Sequence, residues 1–213
     1  MPLRLFPAVD ADATRAFEIE HLAYANVGDP ISSLMFPGPM PADANDRRAE
    51  DVLNEKAKDP STVWMKVVDD ELDGLMIAFA EWHVYSVPGA VPEPKIRSFG
   101  PGSNPEVCEW FLGTMDRRRT ELMGGKPHIF LKFLHTDPAH QKRGAGSMLI
   151  RWGLEKAEEM KLPAYLEASK VGKPLYLKHG FKEIDRIEYD LSKFGGEGID
   201  VVVNMLKPYS DEP

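Results

Sequence analysis

The residues best suited to chemistry lie in a short segment that carries two glycines. Residues 141–143 read Gln-Lys-Arg, and residues 144–147, Gly-Ala-Gly-Ser, open a helical pattern. The first amides of a helix have no intrahelical partner and lie at the positive end of its dipole. Glycine lets a ligand approach the main chain closely, and the adjacent lysine and arginine add positive charge. The segment therefore predicts a binding site for an anion such as a phosphate.

Three phosphate-binding patterns compete for these residues. A P-loop needs a glycine, four further residues and then Gly-Lys-Ser or Gly-Lys-Thr, and the sequence has no such string. The dinucleotide pattern G-x-G-x-x-G fails because Leu149 occupies the third glycine position. What remains is Gln/Arg-x-x-Gly-x-Gly/Ala, which Gln141, Gly144 and Gly146 satisfy. The competing interpretation is an ordinary glycine-rich turn between a strand and a helix.

A second motif follows after one predicted helix and one predicted strand. Residues 165–169 read Tyr-Leu-Glu-Ala-Ser, and residues 175–181 read Leu-Tyr-Leu-Lys-His-Gly-Phe. With a closing hairpin pattern after Phe181, the two motifs resemble those of the GNAT family, N-acetyltransferases that depend on acetyl-coenzyme A (acetyl-CoA). The resemblance covers residues 126–207. The first half is similar only in outline, and residues 86–125 depart from a minimal domain of this family, which leaves the acceptor side open.

The resemblance implies a single domain over residues 1–213 with a mixed α/β fold. The expected GNAT fold has a central, twisted, mostly antiparallel sheet flanked by helices, in which one parallel pair of strands splays apart. Coenzyme A would lie in that opening. Ser147 could donate its hydroxyl to the cofactor, and its alternative is an ordinary serine in the first turn of the helix. The expected contact residues are Leu134, His135, Thr136, Gln141, Lys142, Arg143, Gly144, Ala145, Gly146, Ser147, Ser169 and Tyr176.

The same resemblance implies that an amine attacks the thioester directly in a ternary complex. Such a reaction needs a base for the acceptor ammonium and an acid for the departing sulfur. Tyr176 matches the acid of the family, and a phenol with a pKa of about 10 is protonated at neutral pH. The alternative role for Tyr176 is a core aromatic beside Phe181.

The candidate bases are Glu81, His135 and, as a third option, Glu167. A histidine titrates in the useful pH range, but strand alternation predicts that His135 points away from Lys132, Leu134 and Thr136. Its alternative is a packed or solvent-facing histidine. Glu81 lies on a predicted strand, and its alternative is a solvent-facing position. We assign no metal-binding residues.

Hydrophobic periodicity predicts the elements that must position these residues. A first helix is expected to bury Phe17, Ile19, Leu22 and Tyr24, and the Pro- and Gly-rich residues 88–105 are expected to be irregular. The other expected helices span residues 43–58, 104–122, 144–161 and 174–179. The expected strands span residues 3–9, 62–68, 75–85, 128–134, 164–168, 183–191 and 199–206.

Composition limits the partners. The formal net charge of -8 disfavours nucleic acid and anionic lipid, and the densest basic run, residues 117–119, is predicted to be a solvated helix end. We therefore expect no nucleic acid or membrane partner. The resemblance implies a small-molecule or peptide amine as acceptor, and a monomer or a homodimer is expected. The single cysteine, Cys108, precludes an internal disulfide and is expected to be a buried structural thiol. Without a signal peptide or an apolar run of membrane-spanning length, a cytoplasmic or nuclear location is expected.

Two alternative functions stay open at this point. One is a GNAT-shaped module that binds acyl-CoA for regulation without turnover, against which the presence of Tyr176 argues. The other is an enzyme that transfers a different acyl group or acylates a hydroxyl.

Overall fold

One seven-stranded sheet organises the chain in the computed structural model, which describes residues 2–27, 30–39, 41–89 and 99–210. The strands are β1 (Leu3–Pro7), β2 (Thr62–Asp69), β3 (Leu75–Tyr85), β4 (His128–Thr136), β5 (Ala164–Ala168), β6 (Lys182–Asp190) and β7 (Ile199–Lys207). They lie in the order β1-β2-β3-β4-β5-β7-β6. Within the described residues β4 and β5 form the one parallel pair, and the other neighbours are antiparallel. This confirms the predicted mixed α/β fold.

Helices cover both faces of the sheet. They are α1 (Ala13–Val27), α2 (Pro30–Met35), α3 (Ala44–Lys56), α4 (Pro105–Met123), α5 (Ala145–Met160) and α6 (Lys173–Lys178). On one face, α5 and α6 share an apolar cluster with the middle of the sheet. On the other face, α1 and α3 pack over β2 and β3, and α4 packs over β6 and β7.

Strand alternation explains how one sheet serves two layers of helices. In β7, Val203 and Met205 belong to the cluster under α5 and α6, whereas Val202 belongs to the cluster under α4. Successive residues of a strand point to opposite faces, so an apolar run such as β7 is buried on both sides. The sheet therefore lies between two layers of helices, and side chains of its interior strands contact both layers.

The second half of α1 departs from the predicted buried stripe. Phe17 and Ile19 are buried, but Leu22 is 39% exposed and Tyr24 is 41% exposed. Leu22 and Tyr24 are exposed because the C-terminal half of α1 extends beyond the apolar cluster that contains Phe17 and reaches β4. At that point Tyr24 packs edge-on against His135, with ring centroids 5.4 Å apart.

Helix α4 begins where the sequence predicts it. The Asn104 side chain accepts a hydrogen bond from the Val107 amide at 3.4 Å, and Pro105 occupies the first turn. Cys108 is fully buried in this helix, as expected. Of the predicted irregular segment 88–105, residues 90–98 lie outside the described residues. In the described part of the chain, every helix is too short or too polar to cross a lipid bilayer.

Candidate active site

The parallel strands β4 and β5 part in the middle of the sheet. They are paired at three positions, Ile129 with Ala164, Phe130 with Tyr165 and Leu131 with Leu166. Beyond these, β4 continues to Thr136 and pairs with β3 alone among the described strands. The other edge of residues 133–136 faces a gap. This confirms the predicted splayed pair.

The loop after β4 leads into the N-terminus of α5, which lies at the end of this gap. Gly144 precedes the helix with a φ of +97°, a left-handed conformation that residues with a side chain rarely adopt. The amide of Met148 donates to the Gly144 carbonyl at 3.1 Å. The three amides before it, at residues 145–147, therefore have no partner within the helix and form its positive end.

Gly146 lies in a narrow crevice between β4 and α6. A Cβ atom at this position would be 3.1 Å from Leu175 Cδ2, 3.5 Å from Leu134 Cδ2 and 3.8 Å from Thr136 Oγ1. A branched side chain would fill the crevice and cover the start of α5. The glycine keeps this main chain accessible, which fits an elongated ligand with a phosphate at the helix start.

Two ion pairs hold the loop between β4 and α5. At its beginning, Arg15 Nη2 of α1 lies 2.6 Å from Asp137 Oδ2. At its end, Arg143 Nη2 lies 2.6 Å from Oδ2 of Asp69, whose residue is 1% exposed. The angle of the second contact does not suit a hydrogen bond, so among the described residues Asp69 Oδ2 has a charge partner but no hydrogen-bond donor. Asp69 thus balances the charge that the sequence assigns to Arg143.

The other polar residues of the predicted cradle lie on the two loops that lead into α5 and α6. Gln141 is exposed and donates from Nε2 to the Thr136 carbonyl at 3.3 Å, and Lys142 is exposed beside it. Ser169 Oγ accepts from the Gly172 amide at 3.2 Å, which links β5 to α6.

Tyr176 is buried on α6, on the same side of the sheet as α5. Its ring packs edge-on against Phe181 at 6.1 Å, and a Cβ at Gly172 would lie 3.0 Å from its Cε2 atom. None of the described residues donates to or accepts from its phenol. Burial raises the pKa of Tyr176 to about 12, so the phenol keeps its proton through the physiological range.

Strand β4 contains a bulge opposite Glu81 and Trp82 of β3. Glu81 and Trp82 are consecutive in β3, yet they pair with Phe133 and Leu131, which leaves Lys132 as an extra residue of β4. Because of the extra residue, Lys132 and Phe133 lie on one face, with Lys132 Nζ 5.0 Å from the Phe133 ring centroid.

The bulge also decides where His135 points. Its ring stacks 6.1 Å from that of Phe133 on the face of α1, whereas Leu134 and Thr136 face Gly146 on the other side. The expectation that His135 points away from its neighbours is therefore right for Leu134 and Thr136 but wrong for Lys132, because simple alternation does not hold across a bulge.

Comparison with known proteins agrees with this geometry. The sequence profile described as the Acetyltransferase (GNAT) family matches residues 33–181, well over half of the 213 residues. The chain belongs to the GNAT family. A probable acyltransferase SID5 from Ajellomyces capsulatus is 42% identical over 48 residues, which are 22% of this chain and 35% of that protein. The match thus spans about a third of this curated relative. As a member of this family, the chain carries an acetyltransferase-family domain.

Solved structures with low sequence identity share the GNAT fold over nearly the whole chain. The histone acetyltransferase HPA2 and related acetyltransferase of Corynebacterium glutamicum has a TM-score of 0.64 and 22% identity, covering 100% of this chain and 99% of that one. The putative acetyltransferase yncA of Salmonella typhimurium, solved with its cofactor acetyl-CoA, has a TM-score of 0.56 and 12% identity, with coverage of 100% and 96%. Mosquito arylalkylamine N-acetyltransferase like 5b has a TM-score of 0.63 and 16% identity, with coverage of 97% and 99%.

In this member of the GNAT family Glu81 is 1% exposed and surrounded by hydrogen-bond donors. Trp64 Nε1 donates to its Oε2 at 2.9 Å, and Oε1 lies 3.0 Å from His83 Nε2 and 2.9 Å from Lys132 Nζ. His83 Nδ1 in turn lies 3.1 Å from Asp59 Oδ2. The imidazole therefore bridges two carboxylates, an arrangement that favours its protonated form. The alternative of a solvent-facing Glu81 is wrong.

The charges of this cluster stabilise one another. Burial alone would raise the pKa of Glu81, but the hydrogen bond from His83 and the charge of Lys132 lower it to about 2. Burial alone would lower the pKa of His83, but hydrogen bonds to Asp59 and Glu81 raise it above its usual value. Glu81 is thus a carboxylate at any physiological pH.

We expect Glu81→Gln to lower the free energy of unfolding at pH 7 by about 3 kcal/mol, because the change leaves buried positive partners uncompensated. The pKa of Glu81 is depressed from 4.5 to about 2, so its contribution is complete above pH 4.5 and is lost as the pH falls through about 2. Urea unfolding at several pH values measures both effects. Glu55→Gln is the matched control, since Glu55 lies 3.5 Å from the same lysine but its side chain is 52% exposed. Equal losses in the two variants would contradict the cluster's role.

Helix α4 adds charged groups at the vertex where β4 and β5 part. Arg119 Nε lies 2.8 Å from Glu167 Oε1 of β5, and the guanidinium carbon lies 4.4 Å from the centroid of the Phe130 ring. Arg118 forms a bidentate pair with Asp185 at 2.6 and 2.7 Å. The prediction of a solvated basic run is wrong for Arg119, whose side chain is 22% exposed, because a carboxylate of the sheet faces it; the Arg118 side chain is 39% exposed. Glu167 is correspondingly held in an ion pair.

Proposed function

We propose that this GNAT enzyme transfers an acetyl group from acetyl-CoA to an amine by direct attack within a ternary complex. The observation that carries the proposal is the crevice, in which β4 and β5 part after Leu131 and Leu166 and lead to the unpaired amides of α5. The acetyl-CoA bound to the Salmonella relative supports the choice of cofactor.

The residues around the crevice fit coenzyme A. The amides of residues 143–147 would hold its diphosphate, with the exposed cation of Lys142 beside them. Main-chain groups on the open edge of residues 134–136 would pair with the pantetheine arm as an added strand does. When bound, the thioester supplies an acyl group activated towards nucleophiles.

Tyr176 is the proposed general acid. It lies on α6, which forms the wall of the crevice opposite β4 through Leu175. Because its pKa is raised to about 12, the phenol holds a proton on Oη at neutral pH and can deliver it to a developing thiolate.

His135 is the base that the contacts favour over Glu81, because its described ring contacts are aromatic whereas the Glu81 oxygens are occupied by donors. Burial lowers the pKa of His135, so the imidazole is neutral and able to accept a proton at pH 7. Glu81, by contrast, receives three donors and has a pKa of about 2, which makes it a weak proton acceptor. We therefore assign Glu81 to holding Lys132 and His83 at the bulge, and His135 to deprotonating the acceptor.

The acceptor approaches, in this proposal, between α1 and α4 on the face opposite α5 and α6, because the proposed base His135 lies on that face. Tyr24 and His135 form an aromatic edge on the α1 side, and Arg119 paired with Glu167 lies on the α4 side. Aromatic rings attract an organic ammonium, and the mosquito relative is named for arylalkylamine acetylation. A small amine with an apolar body is the first candidate, and a peptide amine is the second.

Free-thiol release from acetyl-CoA across a panel of amines tests the proposal. We expect release above background with arylalkyl or alkyl amines, and initial-rate patterns of a sequential rather than a ping-pong mechanism. Propionyl- and longer acyl-CoA donors and alcohol acceptors are run in parallel, and sedimentation distinguishes a monomer from a homodimer. Tight acetyl-CoA binding without thiol release from any donor would instead favour a regulatory module.

We expect His135→Ala to lower kcat/KM for the best amine by roughly 100-fold at pH 7, the usual scale of a general base. In the wild type, activity should rise with pH through the pKa of His135, which burial places below its usual 6.5, and this acid limb should disappear in the variant. His21→Ala, on the exposed surface of α1, is the matched control and should keep the wild-type profile. An unchanged profile in His135→Ala would remove His135 from the mechanism.

A further inference from the structure

The two GNAT motifs touch through a histidine that neither the family pattern nor the proposed mechanism uses. His179 Nε2 lies 2.9 Å from Ser147 Oγ. Ser147 belongs to the first turn of α5, whose amides form the proposed diphosphate cradle. His179 is the cap residue at the end of α6, three positions after Tyr176. The contact therefore connects the helix of the proposed acid to the helix that would bind the phosphates.

The direction of this hydrogen bond decides what Ser147 can do for a ligand. A serine hydroxyl has one proton and two lone pairs. If Ser147 donates to His179, no proton is left for a phosphate oxygen. If His179 donates from Nε2, the hydroxyl oxygen is satisfied as an acceptor and its own proton can point to the helix start.

The surroundings of His179 determine whether its imidazole is protonated and which nitrogen carries the single proton of the neutral ring. Partial burial and the positive charges of Arg151 on α5 and Lys178 on α6 lower its pKa. The imidazole is then neutral at pH 7 and carries a single N–H. An anion at the start of α5 favours the tautomer with that proton on Nε2, because only then can Ser147 donate to the anion.

We propose that His179 is a positioning residue for the diphosphate cradle, which donates from Nε2 to Ser147 Oγ and thereby directs the Ser147 hydroxyl proton towards a phosphate oxygen. The inference rests on the proposed use of acetyl-CoA. His179 acts through Ser147 and does not itself touch a reacting atom.

Calorimetric titration with coenzyme A tests the inference in variants of the full chain. His179→Ala should weaken binding roughly 10- to 100-fold, as expected for losing a hydrogen bond to a charged group. His179→Gln should restore much of the affinity, because the glutamine amide nitrogen can occupy the position of Nε2. His179→Asn is the matched control, since its shorter side chain places the amide near the position of Nδ1 and should not restore binding.

A double-mutant cycle separates this role from simple packing. If His179 acts through Ser147, the effect of His179→Ala should vanish in a Ser147→Ala background. The loss should also be absent when S-acetylpantetheine, which has no diphosphate, replaces acetyl-CoA as acyl donor. Additive losses in the cycle, or an equal loss with S-acetylpantetheine, would overturn the inference.

The experiment also distinguishes two kinds of failure. Wild-type protein that does not bind coenzyme A would refute the proposed function itself. Wild-type protein that binds tightly, together with His179→Ala of unchanged affinity, would refute only the role of His179. Thermal unfolding of each variant identifies any that has lost its fold, and the comparison of glutamine with asparagine then decides the question among folded proteins.

Discussion

Gly146→Val should bind acetyl-CoA roughly 100-fold or more weakly than the wild type, at 1.4 kcal/mol for each factor of ten. A Cβ at this position already lies 3.1 Å from Leu175 Cδ2, and the two methyl groups of valine must occupy the crevice towards Leu134 and Thr136. The fold should persist, because the crevice lies at the surface end of the gap between β4 and β5. Isothermal titration with coenzyme A measures the effect.

Two controls accompany this variant. Gly146→Ala adds only the Cβ, which the flexible Leu175 side chain can accommodate, and it should keep most of the affinity. Gly100→Val makes the same chemical change where an added Cβ meets no atom within 4 Å, and it should leave both binding and stability unchanged. Wild-type affinity in folded Gly146→Val would refute the location of the cofactor.

Tyr176→Phe should lower kcat by roughly 100-fold or more and lower acetyl-CoA affinity far less, because it removes a proton donor but keeps the buried ring. The edge-on packing on Phe181 needs only the ring, and none of the described residues bonds to the phenol. The two measurements are single-turnover rates at saturating substrates and calorimetric affinity for coenzyme A.

Tyr189→Phe is the matched control for the phenol. Its hydroxyl donates to the Phe111 carbonyl at 3.0 Å beneath α4, away from the crevice. Removing it should cost some stability, on the order of 1 kcal/mol, but should not change kcat. If Tyr176→Phe and Tyr189→Phe turn over at the same rate, Tyr176 is a structural residue.

The features that local sequence rules determine were predictable. The glycines before and inside the start of α5, the cap at Asn104 and the alternating pattern of β7 each depend on residues close in sequence. From these and the two motifs, the order of elements from β4 to β7 and the splayed parallel pair could be predicted. The acyltransferase family followed from the same motifs.

The acceptor side could not be predicted, because it depends on contacts between distant segments. The bulge at Lys132 reverses the direction of the residues before it, and no glycine or proline in β4 marks it. Arg119, and Glu81 in its alternative interpretation, were predicted to be surface residues because their charged partners are distant in sequence. Glu81 is linked through His83 to Asp59, which lies 22 positions away. Arg119 pairs with Glu167, which lies 48 positions away. Hydrophobic periodicity predicts that every charged residue is exposed, so it cannot predict that two buried charged residues pair with each other.

The assignment of helices to opposite faces of one sheet has a consequence for how the enzyme can diversify. A gap that passes through the sheet would let the nucleotide-bearing donor and the nucleophile enter from separate directions, so neither blocks the exit of the other. Changes in α4, or in α1 away from Arg15, would then alter which amine is accepted without touching the turn that binds the donor. Selectivity and donor binding become separately adjustable properties of a single small scaffold.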